Sequence, residues 1–243
     1  MDVESLKKKF TEDCSFDLDK IIDDAYLDMQ VRTIKGHNSS TKEKCVNYLK
    51  QEFNEILKNP SCLDNFDDTH GKLCKGFLKV LNDKENKIKE QQYGKAQKVI
   101  NITFKFLVAH GKLDPKYAKK CHMPIDSFVL NWLYGSNKYN NERAWSYITQ
   151  NDYREIQAKI DETINEEFKI CGIPIKVNNR IEADFYVWYI TKTQQSYNNT
   201  LNAIKSLSKQ INDFDSECID KKVINNLINE TKELMENLAK IKT

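Results

Sequence analysis

Apolar residues recur along this chain at three- and four-residue intervals, and that spacing predicts helices. Over 17–35, Ile21, Ile22, Ala25, Tyr26 and Met29 share one helical face. Over 41–58, Cys45, Tyr48, Leu49, Phe53, Ile56 and Leu57 do the same. Asn38-Ser39-Ser40-Thr41 supplies N-cap side chains between them, and Asn59-Pro60-Ser61 stops the second. A third helix carries Leu73, Phe77, Leu78 and Leu81. A charged loop from Asn82 to Lys89 leads to a helix over 92–110, closed by His110-Gly111 with glycine as the C-cap. Pro115 and Pro124 bracket a connection. Asp126 then opens a helix through Phe128, Val129, Leu130, Trp132 and Leu133, ending near Gly135. A helix over 151–170 is broken by Cys171-Gly172-Ile173-Pro174, and another carries Ala183, Phe185, Val187, Trp188 and Ile190. Toward the polar end, Leu201, Ile204, Leu207 and Ile211, then Val223, Leu227, Leu234, Leu238 and Ile241, mark two amphipathic helices around Asp213-Phe214-Asp215-Ser216. No strand alternation persists and no solenoid repeat occurs. The expected fold class is all-α.

Composition agrees. Seven Gly and four Pro among 243 residues leave few punctuators, which favours long helices and short connections. No stretch is apolar for long enough to span a bilayer, and Met1-Asp2-Val3-Glu4-Ser5 has no apolar signal core, so a cytoplasmic protein is expected. The seven Cys are scattered without a CxxC pair, which suits reduced thiols better than disulfides or zinc. His110 and His122 lack partners at metal-ligand spacing. A net charge of +2 neither points to nucleic acid nor excludes it, but its distribution is uneven. Lys84, Lys87, Lys89, Lys95, Lys98, Lys105, Lys112, Lys116, Lys119 and Lys120 crowd one region. This is either a solvated face or a surface for backbone phosphates.

Two short stretches carry candidate chemistry. In Gly94-Lys95-Ala96-Gln97-Lys98-Val99-Ile100-Asn101, helical spacing groups Lys98, Asn101 and Lys105 on one face. Val99, Ile100, Ile102, Phe104, Phe106 and Leu107 on the other flanks imply a mostly buried helix. A lysine there either snorkels to solvent or is partly buried, and burial favours the neutral, nucleophilic amine. In His122-Met123-Pro124-Ile125-Asp126, the aspartate stands at a helix start, where it can cap and also face a cleft.

At these residues the chain resembles the helix-hairpin-helix superfamily of DNA glycosylases, with its helix-borne lysine followed by a Pro-Val-Asp-like turn. The archaeal 8-oxoguanine glycosylase/lyase branch is the most similar. Its second lysine, seven positions on, is matched by Lys105. Its Gly-Ile-Pro element with a later Asp and Trp is matched by Gly172-Ile173-Pro174, Asp184 and Trp188. Gln30 matches an N-terminal glutamine that reads the base. The likeness covers roughly residues 20–192. Gln92-Tyr93-Gly94 stands where the superfamily has a Leu-Pro-Gly-x-Gly hairpin, and Tyr48 is a candidate stacking aromatic. Lys95 competes with Lys98 for the nucleophile's register.

The resemblance implies a two-lobed glycosylase domain over 1–195 with a cleft between the lobes, followed by a C-terminal helical extension over 196–243. It implies base-excision repair of an oxidised purine such as 8-oxoguanine, with AP-lyase activity compatible with the same lysine. Lys98 and Asp126 would be catalytic. Gln30, Lys105, Asp184 and Trp188 would bind the base, and Lys95, Lys112, Lys116 and Lys119 the DNA backbone. Neither cofactor nor metal is called for. The expected partner is duplex DNA with a damaged base, near the nucleoid, with self-association through the C-terminal helices as a further contact. Two alternatives stand beside it. One is a non-enzymatic helical protein binding nucleic acid or protein. The other is a HEPN-type ribonuclease using Arg32 and His37, whose spacing matches Arg-x4-His.

Overall fold

A computed structural model of the protein describes residues 2–12, 16–33, 39–82, 92–135, 144–170, 173–213 and 229. Among them the fold is all-α, with helices α1 (Val3–Thr11), α2 (Leu18–Thr33), α3 (Ser39–Lys58), α4 (Phe66–Leu81), α5 (Tyr93–Ala109), α6 (Pro115–Ala118), α7 (Ser127–Tyr134), α8 (Gln150–Glu167) and α9 (Arg180–Asp213). Short 3-10 turns cover Pro60–Asn65 and Trp145–Tyr147. Strands β1 (Lys169–Ile170) and β2 (Ile173–Pro174) form a minimal antiparallel pair, with Ile170 opposite Ile173. The helix expected over 151–170 therefore stops at Glu167, and the chain turns back through this pair. None of the described helices is long and apolar enough to cross a membrane.

The helix ends follow local chemistry. Asp2 caps α1 by accepting from the Ser5 N–H at 2.8 Å. Thr149 and Asp152 form a reciprocal capping box at the start of α8, satisfying two N–H groups that would otherwise lack partners. Past α5 the chain leaves through Gly111 at φ 63°, and past α7 through Gly135 at φ 79°, left-handed conformations that disfavour a Cβ.

The chain divides into two compact units, Met1–Tyr189 and Ile190–Thr243. The first is built around α5, which is buried nearly all round. Phe104 of α5 packs against Phe53 of α3 and Phe66 of α4, with ring centroids 4.9 and 5.1 Å apart. Tyr26 of α2 meets Phe77 of α4 at 6.4 Å. Burying each such ring contributes about 1.5–3 kcal/mol, so this aromatic centre fixes where α5 lies. Gly76 of α4 admits the Tyr48 phenol, whose Oη a Cβ would strike at 2.0 Å. Tyr48 is thus spent on α3–α4 packing rather than on stacking a base. Of the second unit, the described part is mainly the continuation of α9. That helix runs unbroken from Arg180 to Asp213, so the expected boundary at 195/196 falls within a helix. Phe214 onward, apart from residue 229, lies outside the described residues, as do Lys84, Lys87 and Lys89.

Candidate active site

Because α5 is enclosed, its polar residues must find partners inside the protein. Lys98 and Lys105 lie two turns apart, and each meets a carboxylate from another element. The Lys98 amine is 2.8 Å from Asp28 Oδ2 on α2 and 3.6 Å from Asp126 Oδ2. It also sits 4.7 Å from the centroid of the Trp145 ring, within cation–π range. Its side chain is 1% exposed, more deeply buried than the partial exposure expected of it, because Asp28, Asp126 and Trp145 cover it. Gly94 permits that cover. A Cβ there would lie 1.8 Å from the Trp145 carbonyl oxygen, while the Gly94 N–H donates to Ile148 O at 3.2 Å.

Asp126 uses its two oxygens differently. Oδ1 accepts from the Phe128 and Val129 N–H groups at 2.8 and 3.2 Å, capping α7, and Oδ2 faces Lys98. The turn that presents it is clamped by Gln97, the residue before Lys98. Gln97 Nε2 donates to Ile125 O at 2.7 Å, and Ile125 N–H donates to Gln97 Oε1 at 3.0 Å. One residue pair therefore sets the register between lysine helix and aspartate turn.

Lys105 is enclosed more completely. Its amine is 2.5 Å from Asp184 Oδ2 on α9, and both side chains are almost wholly buried. Phe10, Phe185 and Trp188 surround the amine at 4.5, 4.8 and 5.4 Å from their centroids. Burial raises the Asp184 carboxyl above the ordinary value, and Lys105 opposes that rise. Beside this pair opens a cavity of about 290 Å³. Lys105, Asp184, Trp188, Asp126, Asp28 and Pro124 line it, with Phe10, Ile102, Phe106 and Val187 as apolar wall. Trp188 meets Phe10 edge-on, with centroids 5.0 Å apart.

Asn101, grouped with Lys98 by helical spacing, faces elsewhere. Its Nδ2 donates to Tyr153 Oη at 2.9 Å, within a buried polar chain. One consistent assignment of tautomers orders that chain. Tyr93 O–H faces His70 Nδ1 at 3.5 Å, and His70 Nε2–H donates to Tyr153 Oη at 3.3 Å. Tyr153 O–H donates to His122 Nδ1 at 2.8 Å, and His122 Nε2–H reaches Asp67 Oδ1 at 3.1 Å. Burial lowers the pKa of both histidines, so both are neutral at pH 7. The hydrogen bond from His122 in turn lowers Asp67. His110, by contrast, lies at the end of α5. Among the described residues, no three His, Cys, Asp or Glu side chains are placed to hold a metal ion.

The residues singled out for DNA contact separate. Lys112, Lys116 and Lys119 are exposed near α6, with the Lys112 amine 4.4 Å from the Phe16 ring centroid. Lys95 is not on that surface. It is buried on α5. The Gln30 and Arg32 side chains, and His37 altogether, lie outside the described residues. Asp28 and Trp145 were not legible as site residues in the sequence. Asp28 reads as part of the acidic outer face of α2, and Trp145 follows a stretch with no helical periodicity.

No protein-family model, curated protein or solved structure matches this chain.

Proposed function

We propose that this protein is a DNA base-excision glycosylase of helix-hairpin-helix type, removing an oxidised purine such as 8-oxoguanine. The observation that carries the reading is one cavity with two kinds of chemistry at its wall. Asp126 and Asp28, the partners of the buried Lys98, line one part, and Lys105, Asp184 and Trp188 another. Its volume falls near the small end of ligand sites, which suits a single planar base. An extruded base would stack on Trp188, while the Lys105 ammonium donates and the Asp184 carboxylate accepts at its edge. The Lys98 nitrogen would attack the deoxyribose C1′ as the base departs, and the opened sugar would form a Schiff base with it. The same imine allows a subsequent lyase step. Asp126, which caps the N-terminus of α7, would face the positive charge developing on the sugar. Two lobes flanking this cavity, with Lys112, Lys116 and Lys119 gripping the phosphate backbone, complete the proposal.

A second reading, a helical binding protein in which the ion pairs only hold the fold, draws on the burial of Lys98. Borohydride trapping separates the two. A glycosylase leaves a covalent adduct with 8-oxoguanine duplex that Lys98→Gln abolishes. A binding protein leaves none, or an equal amount with undamaged duplex.

A further inference from the structure

We propose that Asp28 is a further catalytic residue, the acceptor of the proton that Lys98 must lose before its nitrogen can attack. The inference rests on the glycosylase reading and deepens it. Lys98 has two carboxylate neighbours, and they are not equivalent. Asp28 is the nearer, at 2.8 Å against 3.6 Å. Asp126 is committed on its other oxygen to two backbone N–H groups, and protonating it would weaken the cap of α7. Asp28 stands in the middle of α2, away from any helix end. It is 47% exposed and lines the cavity, touching both the amine and the space a nucleotide would fill. One carboxylate is committed to backbone N–H groups, and the other stands mid-helix beside the amine.

The surroundings allow this division. The titratable groups lining the same space are Asp24 one turn earlier on α2, Lys105 on α5, Asp126 before α7 and Asp184 on α9, and Lys98 contacts Asp28 and Asp126 of that lining. Lys105 is occupied by Asp184. From α3, Lys50 pairs with Asp19 and Asp23 rather than with Asp28. A nucleotide that displaces water from the cavity penalises the charged Lys98–Asp28 pair relative to its neutral form. The ammonium then passes one proton to the carboxylate, giving amine and carboxylic acid. The amine lone pair forms the Nζ–C1′ bond. The C1′–N9 bond breaks, its electrons leave with the base, and the base takes up a proton from Asp28 or water. Neither oxidant nor reductant is required.

The proton count gives this role a signature that a structural one lacks. In the native protein the resting pair and the reactive pair hold the same number of protons. The rate of base removal is then flat with pH wherever the pair holds one. In Asp28→Asn the resting ammonium carries one proton more than the reactive amine. The rate then climbs about tenfold per pH unit. The test is single-turnover base removal from an 8-oxoguanine duplex across about pH 6 to 9, in the native protein and in Asp28→Asn. The expected result is a flat native profile, with Asp28→Asn at least about tenfold slower near neutrality and rising with pH. Added formate should restore rate to Asp28→Ala. An Asp28→Asn profile that is flat, whether slow or at the native rate, overturns the assignment of Asp28 and leaves the glycosylase reading intact. A native protein that frees no base and traps no adduct overturns both.

Discussion

Two lysine–aspartate pairs stand on one helix and differ in what surrounds them. Lys105 and Asp184 are both sealed in, ringed by Phe10, Phe185 and Trp188. Lys98 is equally buried, but its nearer partner, Asp28, reaches solvent, and a second carboxylate stands 3.6 Å away. A sealed pair has no exit for a proton and no alternative partner. It serves best as a fixed donor and acceptor. A pair open at its carboxylate can exchange a proton and lose its partner without stranding the cation. The contrast shows how one buried helix can carry both a rigid recognition element and a reactive one, the difference lying in the partners supplied by α2, α7 and α9.

The largest expected effect is chemical. Lys98→Gln removes the proposed nucleophile, so base removal and trapping should vanish while duplex binding persists. Loss of binding as well would make Lys98 a structural residue. Next comes stability. Asp184→Ala strands a buried ammonium and should cost about 3–5 kcal/mol in urea unfolding, whereas Asp28→Asn should cost about 1 kcal/mol or less. Equal costs would erase the contrast between the pairs. Trp188→Ala should weaken discrimination for the damaged base by about 1–3 kcal/mol, read as the ratio of kcat/KM for lesion and normal duplex.

A smaller effect concerns pH. His70 and His122 have folded-state pKa values below their unfolded ones. Their contribution to stability is therefore present above about pH 6.5, the unfolded value, and is lost as pH falls toward the folded values. Urea midpoints should drop between about pH 7 and 5, and His122→Gln should flatten that drop. Unchanged acid sensitivity in His122→Gln would shift the cause to His70 or to the carboxylates.

The parts of this site visible in the sequence are those set by local rules. Pro124 before Asp126 marks a helix start, and apolar flanks mark α5 as buried. Helical spacing put Lys98 and Lys105 on one side of α5. It misplaced Asn101, whose partner Tyr153 comes from α8. Asp28 and Trp145 arrive by tertiary approach, and the close passage of Gly94 against Trp145 leaves no mark beyond one glycine. The continuity of α9 was more legible. No Gly or Pro occurs from Ile175 to Asp213, and polar residues at that stretch do not stop a helix. The two-residue strands escaped because four residues are too few to display alternation.

The most direct measurement is borohydride reduction of the native protein with an 8-oxoguanine duplex and with its undamaged counterpart, followed by mapping of the modified peptide. The expected result is an adduct on Lys98 that forms only with the lesion. No adduct, an adduct formed equally without the lesion, or one on another lysine would contradict the assignment of Lys98 as the nucleophile of a DNA glycosylase.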